Sequence, residues 1–249
     1  MATLTMLPQT TVRKHITYLA WQDLYDKVKP YQVLMDVPPG RDKSNLVFEE
    51  GPKEDIVDIR GRESEFNMDD NGLMVKTCKF DIGEYNTETL EGEGGYLEQV
   101  ADLIRETVEV SDEVVCFNWQ IRTSDSRKTD KQNGDYVYLD DSMEWIKPVS
   151  YVHVDQTPGA TEKRIRHHMG DRAEDLLKCR YRIINPKYKW YFLSRQTKDE
   201  ALIFKTHDSD ETKNSMCCPH TSFKLDGVRP DAPPRETIEV RALVFSYNK

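Results

Sequence analysis

The stretch VHVDQTPG places a histidine and an aspartate, His153 and Asp155, two positions apart in a segment of β-favouring residues. Alternate residues of a β-strand project from the same face, so this imidazole and this carboxylate are expected to lie side by side. Side chains of these two types can supply two ligands to a divalent metal. They can equally form an ordinary polar pair on the solvated side of a sheet, and the rest of the chain decides between the two interpretations.

Two histidines further along the chain offer a third ligand. His207, in KTHDSD, follows an apolar segment and is expected to be a solvated turn residue, whereas His220, in CCPHTSF, precedes another apolar stretch. Two histidines and one carboxylate on one side of a ferrous ion leave positions open for co-substrates, as in non-haem iron oxygenases. We therefore predict a catalytic iron site at His153, Asp155 and His220. The alternative for His220 is a loop histidine that follows a proline.

The segment RETIEVRALVF provides cations after these residues. Alternation places Arg235, Thr237, Glu239 and Arg241 on one face of a strand. An arginine and a hydroxyl two residues apart can bind a carboxylate through charge-assisted hydrogen bonds. A 2-oxoacid co-substrate needs such a partner, and Arg235 with Thr237 could supply it. The alternative is a solvated edge strand with ordinary charges.

Three further polar residues alternate on the strand CFNWQIR, namely Asn118, Gln120 and Arg122. If this face points into a barrel, the three side chains are candidates for contacts with a substrate. A solvent-facing polar side of the same strand is an equally good interpretation.

Longer blocks of the sequence carry a family resemblance. They are DIRGRESEFNMDDNGLMV, DEVVCFNWQIRTSD, VHVDQTPGATEKRI, AEDLLKCRYRIIN, WYFLSRQTKDEALIFKTHDS and APPRETIEVRALVF. These blocks resemble fungal hydroxylase/desaturase enzymes, a family that includes the gibberellin desaturase and relatives of the cephalosporin methoxylation proteins. The resemblance covers nearly the whole chain. It implies an oxygenase of secondary metabolism that uses Fe(II), 2-oxoglutarate and O2.

The resemblance assigns roles to individual positions. It implies that His153 and Asp155 are the first two iron ligands and His220 the third. Arg235 with Thr237 resembles the R-x-S pair that binds 2-oxoglutarate in many such oxygenases, and Arg241 stays a second candidate. One departure is clear: relatives are expected to carry a sizeable segment after RYRIIN, whereas here Asn185 continues directly into Pro-Lys-Tyr. Either this protein has lost the segment or the sequence omits it, and this puts the substrate lid in doubt but not the ligand set.

The elements that must hold these residues are mostly strands. Short strands are expected at 31–37, 54–61 and 73–80, and further strands at 112–125, 145–157, 179–185, 187–193, 200–208 and 235–247. Apolar periodicity predicts helices at 94–110 and 161–178. Residues 1–50 are expected to open irregularly. The pattern favours a mainly β fold with flanking helices, a double-stranded β-helix of the jelly-roll or cupin type. We expect a single domain, 1–249, in which 1–112 supports a core at 113–249.

Composition narrows the choice of partners. The chain has 249 residues and a net charge of −9, and we find no dense basic patch and no apolar run long enough to span a bilayer. We therefore expect a small-molecule substrate, neither nucleic acid nor membrane as a partner, and a monomer or homodimer. Five cysteines without CxxC spacing fit a reducing cytoplasm.

The expected reaction is hydroxylation, desaturation or oxidative cyclisation of a small secondary metabolite or amino-acid-derived compound, which begins with hydrogen abstraction from a C–H bond. Two rival hypotheses come from other classes of protein. One is a non-catalytic β-barrel that binds small molecules, and the other is a zinc hydrolase that uses the same three ligands.

Overall fold

A computed structural model of the chain describes residues 10–33, 37–80, 83–84, 86–129, 143–180, 189–229 and 231–247. In this part of the chain most regular structure is β. The strands are β1 (Thr11–Leu19), β2 (Phe48–Asp58), β3 (Leu73–Thr77), β4 (Glu113–Thr123), β5 (Trp145–Ile146), β6 (Trp190–Phe192), β7 (Glu200–Phe204) and β8 (Glu236–Phe245).

The helices are few and mostly short. They are α1 (Thr87–Glu91), α2 (Tyr96–Thr107), α3 (Ser126–Thr129), α4 (Pro158–Met169) and α5 (Ala173–Leu176), with 3-10 turns at Asp23–Asp26, Glu63–Glu65 and Gly170–Arg172. The expected mainly β composition with flanking helices is thus confirmed. No helix among the described residues is both long and apolar enough to cross a membrane.

The strands form three groups. In the first, β2 pairs with β1 antiparallel and with β6 in parallel; in the second, β3 and β7 are antiparallel. In the third, β4 lies between β5, which is parallel to it, and β8, which is antiparallel. Strands of the first half of the chain therefore pair with strands of the second half in all three groups.

Helix α2 covers one face of the β4–β8 pair. Its buried residues Ala101 and Ile104 pack with Val114, and Cys116, Ala242 and Val244 complete this contact. Further along, Trp119 and Ile121 of β4 pack against Leu90 of α1 and Tyr96 of α2. Apolar residues thus occupy the helix-facing side of both strands, and this leaves the opposite side to carry the polar residues of the candidate site.

A β-bulge interrupts the pairing of β4 with β8. Cys116 lies opposite Ala242 and Asn118 lies opposite Arg241, so Phe117 is the extra residue. Phe117 then faces the same apolar cluster as Leu243 and Phe245, and Asn118 points to that same side of the sheet. A bulge places two consecutive side chains on one face and restores alternation afterwards.

Several predicted elements are confirmed, with altered bounds. The helix expected at 94–110 is α2, and the strands expected at 112–125 and 235–247 are β4 and β8. The helix expected at 161–178 begins earlier, at Pro158, because Thr157 caps it by accepting a hydrogen bond from the Ala160 N–H at 3.3 Å. It ends at Met169, because the φ of 52° at the following Gly170 is outside the helical region, and α5 follows as a separate turn.

Other predictions were wrong. Residues 1–50 do not open irregularly throughout, since β1 is a nine-residue strand. The strand expected at 145–157 is reduced to β5 and an isolated bridge at His153, because Pro148 cannot donate a ladder hydrogen bond. At 31–37 only a bridge between Gln32 and Ser44 forms among the described residues. Most of the strand expected at 179–185, including Asn185, lies outside the described residues.

Candidate metal centre

Two antiparallel backbone hydrogen bonds bring His153 and His220 directly opposite each other. The His153 N–H donates to the His220 carbonyl at 3.1 Å, and the His220 N–H donates to the His153 carbonyl at 3.0 Å. The two ring centroids lie 4.2 Å apart. Residues that are far apart in sequence therefore present their imidazoles from adjacent positions on one face of the sheet.

Neighbouring segments fix this pair on both sides. The Val152 N–H donates to the carbonyl of Thr17 in β1 at 2.9 Å, and the Ser222 N–H donates to the Val149 carbonyl at 2.8 Å. Strand β1 thus lies directly beside the segment that carries His153. Sequence reasoning missed this contribution of the first half of the chain, although Val12, Ile16 and Tyr18 recur at the spacing of a strand.

Asp155 completes a three-residue cluster. Its Oδ1 lies 3.9 Å from His153 Nε2, and its Oδ2 lies 4.0 Å from His220 Nε2. One ligand atom from each residue lies within 4.8 Å of the other two, and all three residues are partly buried. Sequence reasoning predicted this trio, and the structure brings it together.

The hydrogen bonds of both rings leave the same nitrogen available. His153 Nδ1 lies 3.0 Å from the Tyr151 carbonyl, and His220 Nδ1 lies 3.2 Å from the Cys218 carbonyl. Because a carbonyl only accepts, each Nδ1 carries a proton, so in the neutral ring the lone pair lies on Nε2, the nitrogen that faces Asp155. Metal-ligating histidines are commonly held in this way. Burial and the nearby His153 also lower the pKa of His220, which favours the neutral ring that a metal requires.

The carboxylate is held by an arginine. Arg241 donates from Nε to Asp155 Oδ2 at 3.0 Å and from Nη2 to Oδ1 at 3.1 Å. Its third nitrogen, Nη1, donates to Asn118 Oδ1 at 2.6 Å. Burial disfavours the charged carboxylate, but the hydrogen bonds and charge of Arg241 outweigh burial and lower the pKa of Asp155. Asp155 is therefore ionised at neutral pH.

A cavity opens beside the two histidines. It is lined by His153, His220, Arg122, Arg235, Glu239, Pro148, Val149, Thr221 and Ser222. Arg122 pairs with Glu239, with 2.7 Å between Nε and Oε2, and donates from Nη1 to the Lys147 carbonyl at 2.9 Å. Sequence reasoning placed Glu239 on the correct face but gave it no role in the site.

Arg235 has a different environment from Arg241. Its backbone is anchored to β4 through Ser124, whose Oγ accepts from the Arg235 N–H at 2.8 Å. Its guanidinium forms no ion pair with a carboxylate of the described residues. Desolvation of its guanidinium and the charge of Arg122 lower the pKa of Arg235, while Glu239 acts in the opposite direction. Two residues later, the Thr237 Oγ1 is buried and has no hydrogen-bond partner among the described residues.

The remaining predicted residues are placed as follows. Asn118 contacts Arg241 rather than open cavity, Arg122 lines the cavity, and Gln120 lies opposite Glu239 in the β4–β8 register. His207 was expected to be a solvated turn residue, and this was wrong, since only 4% of it is exposed. It lies outside the metal-ligand cluster, next in sequence to the buried Asp208.

A family model described as an oxidoreductase/YMDC permease-like domain matches residues 16–187 and 184–245. The chain belongs to this family. Its two matched spans overlap at 184–187, the place after which relatives were expected to carry a further segment.

Curated relatives come from fungi. The Fe(II)/2-oxoglutarate-dependent dioxygenase nvfI of Aspergillus novofumigatus is 27% identical, over 90% of this chain and 91% of its own length. The hydroxylase/desaturase efuI of Hormonema carpetanum is 26% identical, over 76% of this chain and 82% of its own length. The resemblance to fungal hydroxylase/desaturase enzymes that the sequence indicated is confirmed.

A solved structure has a similar fold. The iron and alpha-ketoglutarate-dependent endoperoxidase NvfI superimposes with a TM-score of 0.76 at 24% sequence identity, and the match covers 96% of this chain and 99% of that one. At this identity the likeness concerns the fold.

Proposed function

We propose that this chain is an Fe(II)- and 2-oxoglutarate-dependent oxygenase that hydroxylates, desaturates or oxidatively cyclises a small secondary metabolite or amino-acid-derived compound. The observation that carries the proposal is the geometry of His153, Asp155 and His220. Two Nε2 lone pairs and one ionised carboxylate converge there, beside a cavity lined by arginines. The fungal relatives support the same reaction class.

In this proposal His153, Asp155 and His220 hold the ferrous ion. When bound, the iron supplies the activation of O2, coupled to the oxidation of 2-oxoglutarate to succinate and CO2, that oxidises a substrate C–H bond. The side chains of this protein hold the ligand atoms in place and line the cavity. The donor set of two imidazoles and one carboxylate is the set that suits such an ion.

We assign 2-oxoglutarate to Arg235 and Thr237 rather than to Arg241. Both oxygens of Asp155 already accept from Arg241, whereas the guanidinium of Arg235 borders the cavity without an ion-pair partner among the described residues. The buried Thr237 hydroxyl lacks a partner among the same residues, and a carboxylate that accepts from it would satisfy it. An arginine fork and a hydroxyl together match one carboxylate group.

Arg122 and Glu239 line the same cavity as Arg235. Arg122 adds a second positive charge, and Glu239 fixes its guanidinium by an ion pair. A dianionic co-substrate would therefore enter a cavity with two arginines and one carboxylate. We keep Arg122, with Gln120 and Asn118, as residues close to the bound small molecules.

We further propose that the strands form a double-stranded β-helix of the jelly-roll type within one domain, 1–249, whose first 112 residues brace the core at 113–249. The contact of β1 with Val152 supports a direct role of the first part in holding the site. The described residues contain no disulfide among the five cysteines, which supports work in the reducing cytoplasm. We also propose that the protein is a monomer or homodimer.

The experiment is aerobic incubation of the purified protein with Fe(II), ascorbate and 2-oxoglutarate, with succinate as the readout. We expect succinate from the wild type, a loss of at least about 100-fold in His153→Ala and His220→Ala, and no change in His15→Ala, a matched histidine exposed on β1. Wild-type protein that binds Fe(II) but forms no succinate, with or without candidate substrates, would contradict the proposal. Hydrolysis supported by zinc alone would favour a hydrolase instead.

A further inference from the structure

The β-bulge in β4 determines which side chain meets Arg241. With Phe117 as the extra residue, Asn118 lies opposite Arg241 and faces the metal centre. In an unbulged ladder Phe117 would lie opposite Arg241, and Asn118 would point toward α2 instead. Bulges often occur beside active sites, where they re-aim a side chain.

The bulge creates a chain of three residues that ends on a predicted iron ligand. Asn118 Oδ1 accepts from Arg241 Nη1 at 2.6 Å, and Arg241 donates to the two oxygens of Asp155 at 3.0 and 3.1 Å. All three nitrogens of the guanidinium are thereby engaged, so its plane and position are fixed. The Asp155 side chain is only 13% exposed, so water competes little for these bonds.

We propose that Arg241 is a positioning residue that orients Asp155 for the metal, and that Asn118, placed by the bulge, orients Arg241. This inference rests on the proposed function. Arg241 would hold one oxygen of Asp155 by a hydrogen bond while the other oxygen faces a bound metal, so the carboxylate would be presented to the ion in one orientation.

Charge and positioning predict opposite effects for the loss of Arg241. The guanidinium is positive and repels a cation, so removal of its charge alone would tighten metal binding. Loss of orientation would weaken it, since partners of a metal ligand typically contribute 10- to 100-fold in affinity. The sign of the change therefore separates the two roles.

Arg164 provides a matched control for charge. It is close enough to Arg241 and Asp155 to interact with both electrostatically, but its Nε donates to Gln156 at 2.8 Å. Arg164→Met also removes one positive charge near Asp155, but Arg164 has no hydrogen bond to this predicted metal ligand that the substitution would break. Arg235→Met is the control for the co-substrate, because it removes the arginine assigned to 2-oxoglutarate and leaves the hydrogen bonds of Asp155 in place.

The test measures Co(II) and Fe(II) affinity anaerobically by calorimetry, the visible spectrum of the Co(II) form, and 2-oxoglutarate affinity at saturating metal. We expect Arg241→Met to bind metal about 10- to 100-fold more weakly with an altered Co(II) spectrum, and Asn118→Ala about fivefold more weakly. Arg241→Lys should restore part of the affinity. Arg164→Met should bind metal as well as or better than the wild type, and Arg235→Met should lose only 2-oxoglutarate affinity.

Equal or tighter metal binding in Arg241→Met, with an unchanged Co(II) spectrum, would overturn the positioning role. If Arg241→Met does not fold, Arg241→Lys and Asn118→Ala decide: wild-type affinity and spectrum in both would overturn it. Failure of the proposed function is distinguishable, because it is read from the wild type alone, which would then form no succinate whether or not it binds metal. The positioning role is read from the difference in metal affinity and Co(II) spectrum between the variants and the wild type.

Discussion

The bulge at Phe117 divides one face of the β4–β8 pair into two regions, one apolar and one polar. On one side, Leu243 and Phe245 pack with Ile165 of α4 and Leu176 of α5 in an apolar cluster. On the other side, the same two strands present Asn118, Arg122, Glu239 and Arg241, and each of these is paired.

The two regions are held by different forces. The apolar cluster gains free energy from burial, which grows with the area removed from water. The polar region places charges in a half-buried environment, where each pair does little more than offset its own desolvation. This region is therefore retained for what it binds, and substitutions in the two regions should affect different measurements.

The largest effect on stability should come from the apolar region. Phe245 is fully buried, and Phe245→Ala should lower the free energy of unfolding by about 3–5 kcal/mol through lost burial and a residual cavity. Urea denaturation measures this change. Tyr247→Ala, at a more exposed aromatic residue just after β8, is the control and should change stability little. A loss below about 1 kcal/mol for Phe245→Ala would mean that this cluster does not anchor the fold.

An ion cluster next to this region should give the next largest effect. Asp208 is fully buried and accepts from Arg180 Nε at 2.9 Å and from Lys205 Nζ at 2.9 Å. Burial raises the pKa of its carboxyl, but these bonds outweigh burial and lower it below the ordinary value of 3.8. Asp208→Asn should cost about 3 kcal/mol at pH 7, because the cations lose their buried counter-charge.

The stabilisation that Asp208 provides should depend on pH. Because the pKa of Asp208 is lower in the folded protein, its stabilisation is complete above the ordinary value and is lost as pH falls toward the folded value. The difference between wild type and Asp208→Asn should therefore shrink in acid, as urea denaturation at several pH values would show. Asp175→Asn, at an exposed ion pair with Lys178, is the control. A difference independent of pH would contradict this account.

In the polar region, Arg235→Met should leave stability nearly unchanged and impair co-substrate binding. We expect the KM for 2-oxoglutarate to rise about 10- to 100-fold, which corresponds to roughly 1.4–2.8 kcal/mol, because the distal carboxylate loses its charge-assisted fork. Succinate formation against 2-oxoglutarate concentration measures it. Arg13→Met, at an exposed pair with Asp55, is the control. An unchanged KM in Arg235→Met would remove Arg235 from the co-substrate site.

The sequence alone predicted the elements with strong local patterns. The apolar stripe of α2 and the β-favouring residues of β4 and β8 determine those elements locally. The two-residue spacing of His153 and Asp155 correctly predicted that their side chains lie together. Strand β1 was missed although its alternation is visible, because charged residues at Arg13 and Lys14 interrupt the apolar signal.

The partners of the arginines could not be predicted. Alternation placed Arg235 and Arg241 on one face, but only the bulge at Phe117 and the position of Asp155 decide which of them is engaged. A bulge depends on pairing between distant strands, so a single strand's sequence does not reveal it. The same holds for the bridge between His153 and His220, which strand propensity does not specify.

The smallest expected effect comes from a substitution in the polar region that removes one hydroxyl group. Thr237 Oγ1 is buried without a partner among the described residues, so Thr237→Val replaces an unsatisfied hydroxyl with a methyl of similar shape. The free energy of unfolding should stay the same or rise by up to about 1 kcal/mol, while the KM for 2-oxoglutarate rises about three- to tenfold through loss of one hydrogen bond.

Thr123→Val is the matched control for this substitution, because Thr123 is buried and its Oγ1 accepts from the Asp125 N–H at 3.0 Å. Thr123→Val removes a hydrogen bond within the protein, so the free energy of unfolding should fall by about 1 kcal/mol and the KM for 2-oxoglutarate should stay unchanged. Urea denaturation gives the change in the free energy of unfolding of each variant, and succinate kinetics give the KM of each for 2-oxoglutarate. If Thr237→Val also lost stability and kept its KM, its hydroxyl would serve the fold rather than the co-substrate, and the polar region would resemble the apolar one.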